Sequence, residues 1–159
     1  MLHDTKIDIA KAKREKLINL LNQRLADATD LKSQAKQAHW NVKGVNFIAL
    51  HELFDQVATE IDTYIDDIAE RITTLGGTAM GTVRLAAKNS SLSEYPHEIT
   101  DGMAHVDALS TAMADFGKKV RADIDASEKY DDAVTADLFT SISRGLDKLL
   151  WFVEAHIQS

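Results

Sequence analysis

His39 and His51 stand twelve residues apart, separated by the turn-like stretch Asn41–Gly44. Beyond them acidic residues recur at helical intervals, first Asp55 and then the pair Asp66 and Glu70. Imidazole nitrogen and carboxylate oxygen are the donors of a site for Fe²⁺, Mn²⁺, Zn²⁺ or Co²⁺, and affinity order alone does not choose among these ions. In a helix, residues four apart share a face, and the eleven-residue step from Asp55 to Asp66 is close to three full turns. His51, Asp55, Asp66 and Glu70 therefore form one stripe, about 100° wide. The two pairs are nevertheless roughly 22 Å apart along the axis at 1.5 Å per residue, while metal–ligand bonds are about 2 Å. One chain cannot bring all four to one ion.

A two-fold axis removes the difficulty. If two copies of this helix cross antiparallel near Glu60–Ile61, His51 and Asp55 of one copy lie beside Asp66 and Glu70 of the other, and two equivalent shared sites result. His39 reaches the His51 end across the corner. Taken singly, each residue also has a plainer explanation. A lone helical histidine is more often hydrogen-bonded at a surface than a ligand, and adjacent acids such as Asp66 and Asp67 are ordinarily solvated.

Four long helices must carry these residues. Apolar spacings of three and four predict helices from about Ile7 to His39, Asn46 to Leu75, just after Pro96 to about Ser127, and Asp132 to Ile157. Short links join the first to the second and the third to the fourth, so each pair forms an antiparallel hairpin. About twenty residues, GGTAMGTVRLAAKNSSLSEYPH, lie between the hairpins, enough to run the length of a bundle and to hold a short helix of their own. No alternating strand pattern competes. The fold class is all-α, a four-helix bundle with one long crossover.

The 159 residues suit a single domain spanning 1–159, with residues 1–6 expected as a short mobile start. One proline and seven glycines are few breakers. The absence of cysteine excludes disulfides, thiolate metal sites and thiol catalysis, and fits a reducing cytoplasm. No run approaches the roughly 18 apolar residues of a membrane span. The charged opening MLHDTKIDIAKAKREKL lacks the apolar block of a signal peptide. A cytoplasmic protein is expected. A formal net charge of −7 opposes bulk attraction to DNA.

The stretch AHWNVKGVNFIALHELFD, followed by DDIAERITTLGG and, near the C-terminal end, TADLFTSISRGLDKLLWFVEAHIQ, closely resembles the Dps family, the ferritin-like miniferritins named for DNA protection during starvation. The resemblance runs from the first helix to the last. It implies a ferroxidase, a hollow homododecamer that oxidises Fe²⁺, preferably with hydrogen peroxide, and stores ferric mineral while protecting DNA and cell from oxidative damage. His39 matches the family's A-H-W-N motif, His51 and Asp55 its H-E-x-x-D pattern, and Asp66 and Glu70 its D-x-x-A-E-R pattern. The resemblance implies that these five bind iron, one or two ions per site, with His39, His51 and Asp55 from one subunit and Asp66 and Glu70 from its two-fold partner.

Trp40, beside the site in the motif, is expected to shape the pocket, to intercept oxidising equivalents, or simply to pack. The resemblance also suggests a cation pore near the last corner, drawn from Asp125, Asp131, Asp132 and Asp137, although acids there also suit a helix N-terminus. Trp151 reads as core or interface. His97, His105 and His156 fit no ligand pattern, and His3 is expected to be mobile. Residues 1–16 hold Lys6, Lys11, Lys13, Arg14 and Lys16 against Asp4, Asp8 and Glu15, a thin surplus for gripping DNA. A nucleoid-associated DNA-binding protein with secondary iron chemistry is the competing expectation, and a plain helical structural protein the third.

Overall fold

In the computed structural model, which describes residues 2–158, five helices follow one another: α1 (Lys11–Asn41), α2 (Phe47–Thr74), α3 (Val83–Asn89), α4 (Gly102–Lys129) and α5 (Ala133–Glu154). Among the described residues the only strand-like pairing is an isolated bridge between Lys43 and Asp101. The apolar stripes face inward as their spacing requires. Leu17, Leu21, Leu25 and Leu31 of α1 meet Phe54, Ile61, Ile68 and Ile72 of α2, while Met113, Phe116 and Val120 of α4 meet Phe139 and Leu146 of α5. Tyr64 of α2 passes so closely over Gly145 of α5 that a Cβ there would collide with the phenol oxygen, which donates to Glu60 at 3.1 Å.

The crossover runs along α1, as its length suggests. Asn22 bonds Thr78 and Met80, Gln23 bonds Asn89, and Gln34 bonds the Ser93 carbonyl. Between these, Asp27 accepts from the Ser91 N–H at 2.6 Å and Asp30 from the Ser90 hydroxyl at 2.5 Å. Loop backbone that would otherwise lack partners is thus satisfied by polar side chains of one helix. The short helix anticipated within this stretch is α3, capped by Thr82.

Three expectations need correction. The first helix begins at Lys11, not Ile7, because residues 7–10 are held open from below: Arg14, itself buried, donates Nε–H to the Ile9 carbonyl. The third begins at Gly102, five residues after the expected start, where Asp101 accepts from the N–H groups of Met103 and Ala104. Residues 2–6, taken for a mobile start, dock on the end of α2: the His3 N–H donates to the Gly76 carbonyl at 2.8 Å, and Leu2 packs against the core. Met1 lies outside the described residues.

Arg24 of α1 faces two buried carboxylates, Asp27 on its own helix and Asp123 of α4, the latter at 2.5 Å from Nε. One guanidinium cannot compensate both. Burial raises the Asp123 carboxyl from its ordinary 3.8 to about 6, with the Asp27 charge adding to the rise and Arg24 opposing it. A raised carboxyl stabilises the fold while protonated, and that contribution is lost as pH climbs through about 6. Asp123→Asn should remove the loss. Thermal melts are expected to show the variant gaining on the parent between pH 4 and 7.5, by on the order of 3 kcal/mol. A pH-independent difference would show that Asp123 ionises without cost.

Candidate metal centre

The corner between α1 and α2 is built to hold two histidines. Gly44, at φ +110°, turns the chain in a backbone region that L side chains rarely adopt. The Phe47 N–H donates to the Gly44 carbonyl at 3.1 Å, starting α2, and the Lys43 N–H donates to the Thr100 carbonyl at 2.9 Å, tying the corner to the segment that opens α4. His39 sits in the last turn of α1 and His51 in the second turn of α2.

Their rings cross-brace the two helices. His39 Nδ1 lies 2.7 Å from the His51 carbonyl, and His51 Nδ1 lies 2.8 Å from the His39 carbonyl. A backbone carbonyl only accepts, so each Nδ1 carries the hydrogen and donates it. In the neutral ring Nε2 then keeps its lone pair. Neither Nε2 is buried, and neither has a partner among the described residues. The rings stack with centroids 3.7 Å apart and planes 21° apart. Both imidazoles are thus fixed in tautomer and orientation, and the partners that fix them are main-chain atoms that mutation cannot remove.

Asp55, one turn beyond His51, is half-exposed and bonded to Lys36 of α1, Nζ to Oδ1 at 2.7 Å. That hydrogen bond holds the Asp55 carboxyl below its ordinary 3.8, against the opposing effect of desolvation and with the Lys36 charge acting in the same direction. The Lys36 ammonium also lies 5.6 Å from the centre of the Trp40 ring. Sequence reasoning missed Lys36. Its spacing from His39, three residues back on the same helix, is the signal that could have found it.

Asp66 and Glu70 lie where the spacing puts them, exposed on the far half of α2, with no side-chain partner among the described residues. The structure brings His39, His51 and Asp55 to one corner and leaves Asp66 and Glu70 roughly 22 Å along the helix. Among the described residues no three His, Cys, Asp or Glu side chains converge as a metal cage. Around the corner Trp40, Val45, Phe47 and Ile48 are exposed, an apolar rim beside the two imidazoles.

The other candidates separate. Asp125 and Asp137 are exposed, and Asp131, the one described non-glycine residue with positive φ, pairs with Lys13. Asp132 is corrected. Only 2% exposed, it caps α5 by accepting from Val134 and Thr135 and takes both carboxylate oxygens to Arg71 Nη2 at 2.9 Å. Burial raises its carboxyl, but the hydrogen bonds from Thr135 and Arg71 outweigh that and hold it below 3.8. It is a structural clamp, closed to a channel. Arg71, next to Glu70, is accordingly the residue that pins the end of α2 to α5. Trp151 is 59% exposed and so is not core in this chain. His97 pairs with Glu94, and His156 faces the Phe152 and Val153 carbonyls. His105 is buried against Tyr95.

Residues 18–159 match the model of the ferritin-like domain. The chain is 44% identical over 156 residues to a DNA protection during starvation protein of Agrobacterium fabrum, covering 98% of this chain and 96% of that one. The chain belongs to the Dps family. A Dps of Mycobacterium smegmatis superposes with a TM-score of 0.94 at 33% identity, covering 100% of this chain and 96% of the other. A Dps of Vibrio cholerae, described as a member of a broad superfamily of ferritin-like diiron-carboxylate proteins, superposes with a TM-score of 0.91 at 25% identity, each chain covered to 99%. In this Dps chain, among the described residues, no helix is long and apolar enough to cross a membrane.

Lys36 occupies a carboxylate oxygen that an incoming cation would need. An exposed ion pair is worth at most about 1 kcal/mol, or roughly fivefold in affinity. Titration with Co²⁺ is expected to show Lys36→Met binding the ion up to about fivefold more tightly than the parent at low salt. Unchanged or weaker binding would show that Lys36 does not compete for Asp55.

Proposed function

We propose that this Dps is a ferroxidase and iron-storing cage, taking Fe²⁺ as substrate at sites shared between two copies of the chain. The observation that carries the reading is the crossed pair of Nδ1 hydrogen bonds, which presents two imidazole Nε2 lone pairs beside Asp55 and leaves the donor set incomplete. Asp66 and Glu70 of the two-fold partner complete it. The set then holds two nitrogens and three carboxylates, hard enough to favour the oxidised ion and mixed enough to bind ferrous iron reversibly. Whether one ion or a bridged pair sits there, the carboxylates stabilise the added charge as Fe²⁺ becomes Fe³⁺.

Hydrogen peroxide is the proposed oxidant. Reduction of peroxide by two ferrous ions, one electron from each, yields water and ferric iron without releasing hydroxyl radical. Ferric product passes to the interior of a homododecamer, with Asp125, Asp131 and Asp137 the remaining candidates for a cation path. The apolar rim of Trp40, Val45, Phe47 and Ile48 is the kind of surface that a second subunit covers. Direct DNA binding is given no large part. Lys13 is paired with Asp131, Arg14 is buried on the Leu75 carbonyl at 2.7 Å, and Lys16 lies over Tyr130, so three of the five N-terminal cations are already engaged. A cytoplasmic location follows from this role.

Complementation tests the shared geometry directly. A His39→Ala/His51→Ala variant and an Asp66→Ala/Glu70→Ala variant should each oxidise Fe²⁺ with peroxide no faster than buffer. Dissociated, mixed and reassembled at equal amounts, they should regain about a quarter of the parental rate, because half the two-fold pairs are mixed and each mixed pair holds one intact site of two. No recovery, with assembly intact by size-exclusion chromatography, would overturn the shared site.

A further inference from the structure

Tyr95 and His105 form a second chemical unit, which the metal centre does not use. Tyr95 sits in the crossover and His105 in the first turn of α4; they are 6% and 1% exposed. The phenol oxygen lies 2.7 Å from His105 Nδ1, and the two rings are within 16° of parallel. Hydrogen counting sets the direction of the bond. If Nδ1–H donated, the tyrosine hydrogen would lack an acceptor and the buried Nε2 lone pair a donor. If Tyr95 donates to Nδ1, only the Nε2–H is left over. The second arrangement leaves fewer buried groups unsatisfied. A phenol whose proton already points at an imidazole lone pair is arranged to lose an electron and that proton together.

We propose that Tyr95 and His105 act as a buried electron donor that quenches strong one-electron oxidants escaping the iron chemistry. In the step, Tyr95 gives up one electron, its O–H bond breaks and the proton moves to His105 Nδ1, leaving a phenoxyl radical and an imidazolium. The oxidant is of the hydroxyl-radical class and becomes hydroxide. A small-molecule one-electron reductant of the ascorbate class would restore the pair, its electron reducing the phenoxyl oxygen while the proton returns from His105 Nδ1. Burial limits the chemistry to strong oxidants, because the imidazolium must exist in an apolar pocket that already disfavours a charged His105. It also keeps the radical from meeting a second tyrosine.

The pair stands within reach of the metal corner from two sides. Tyr95 and Trp40 both line one surface groove of about 700 Å³ along α1. Phe54, the residue before Asp55, has its ring centre 6.4 Å from that of His105. The proposal depends on the ferroxidase reading only for the natural source of oxidant.

Pulse radiolysis of the assembled protein with azide radical, a one-electron oxidant, tests it without iron. The parent is expected to show a tyrosyl signal that grows as an exposed tryptophan radical decays, and that forms more slowly in D₂O. Tyr95→Phe should remove most of that signal and lengthen the tryptophan radical's life. His105→Gln should lower the tyrosyl yield and abolish the solvent isotope effect, which a merely structural change would not. Circular dichroism melts confirm that each variant is folded, and Tyr95→Phe, which only deletes an oxygen, carries the test if His105→Gln does not fold. A tyrosyl signal unchanged in Tyr95→Phe, or an isotope effect absent in the parent, would overturn the proposal. Loss of iron oxidation with the radiolysis result intact would instead overturn the ferroxidase reading alone.

Discussion

The exchange of hydrogen bonds between His39 and His51 is the constraint on which the site depends. Each imidazole bonds the backbone of the other's helix, so the bonds form only when α1 and α2 meet at one depth and rotation. The corner therefore aligns the helices and the helices align the rings. Everything that stiffens the turn serves the same purpose, from the positive φ of Gly44 to the Lys43 tie onto the start of α4. The rotamer entropy lost in fixing both rings is spent during folding.

A second clamp holds the other end of α2. Arg71 reaches Asp132 and Thr135 on α5, and Tyr64 lies over Gly145 midway along the same interface. Between these fixed points Asp66 and Glu70 stay exposed and unengaged. The helix is thus braced where it meets its own bundle and left bare along the stripe that lacks a partner. An isolated bundle gains nothing from such a stripe, since unpaired exposed acids add little to stability.

Much of this was legible in the sequence, for a physical reason: helical periodicity converts spacing directly into geometry. The four long helices, the short turn at Asn41–Gly44 and the separation of His51 and Asp55 from Asp66 and Glu70 all follow from the 3.6-residue repeat. What could not be read depends on contacts between distant segments. Asp132 looks like any acid at a helix start until Arg71 is seen across the bundle. Nothing in residues 7–10 announces that Arg14 draws on the Ile9 carbonyl, so apolar spacing alone starts the helix one turn early. Lys36 on Asp55 and Tyr95 on His105 are likewise pairings that only the packed helices create.

The crossover has a bearing on how the chain comes to be folded. Each hairpin closes through neighbours in sequence, α1 with α2 and α4 with α5, and such local contacts form quickly. The seam between the crossover and α1 joins residues about sixty positions apart through side chains of Asn22, Gln23, Asp27, Asp30 and Gln34. Its bonds are mostly polar and it buries fewer large apolar side chains than either hairpin. Native-state hydrogen exchange is expected to group the amides of the crossover, residues 77–95, in a unit that opens below the global free energy. Such an opening would carry Tyr95, packed on the core at the end of that unit, toward solvent.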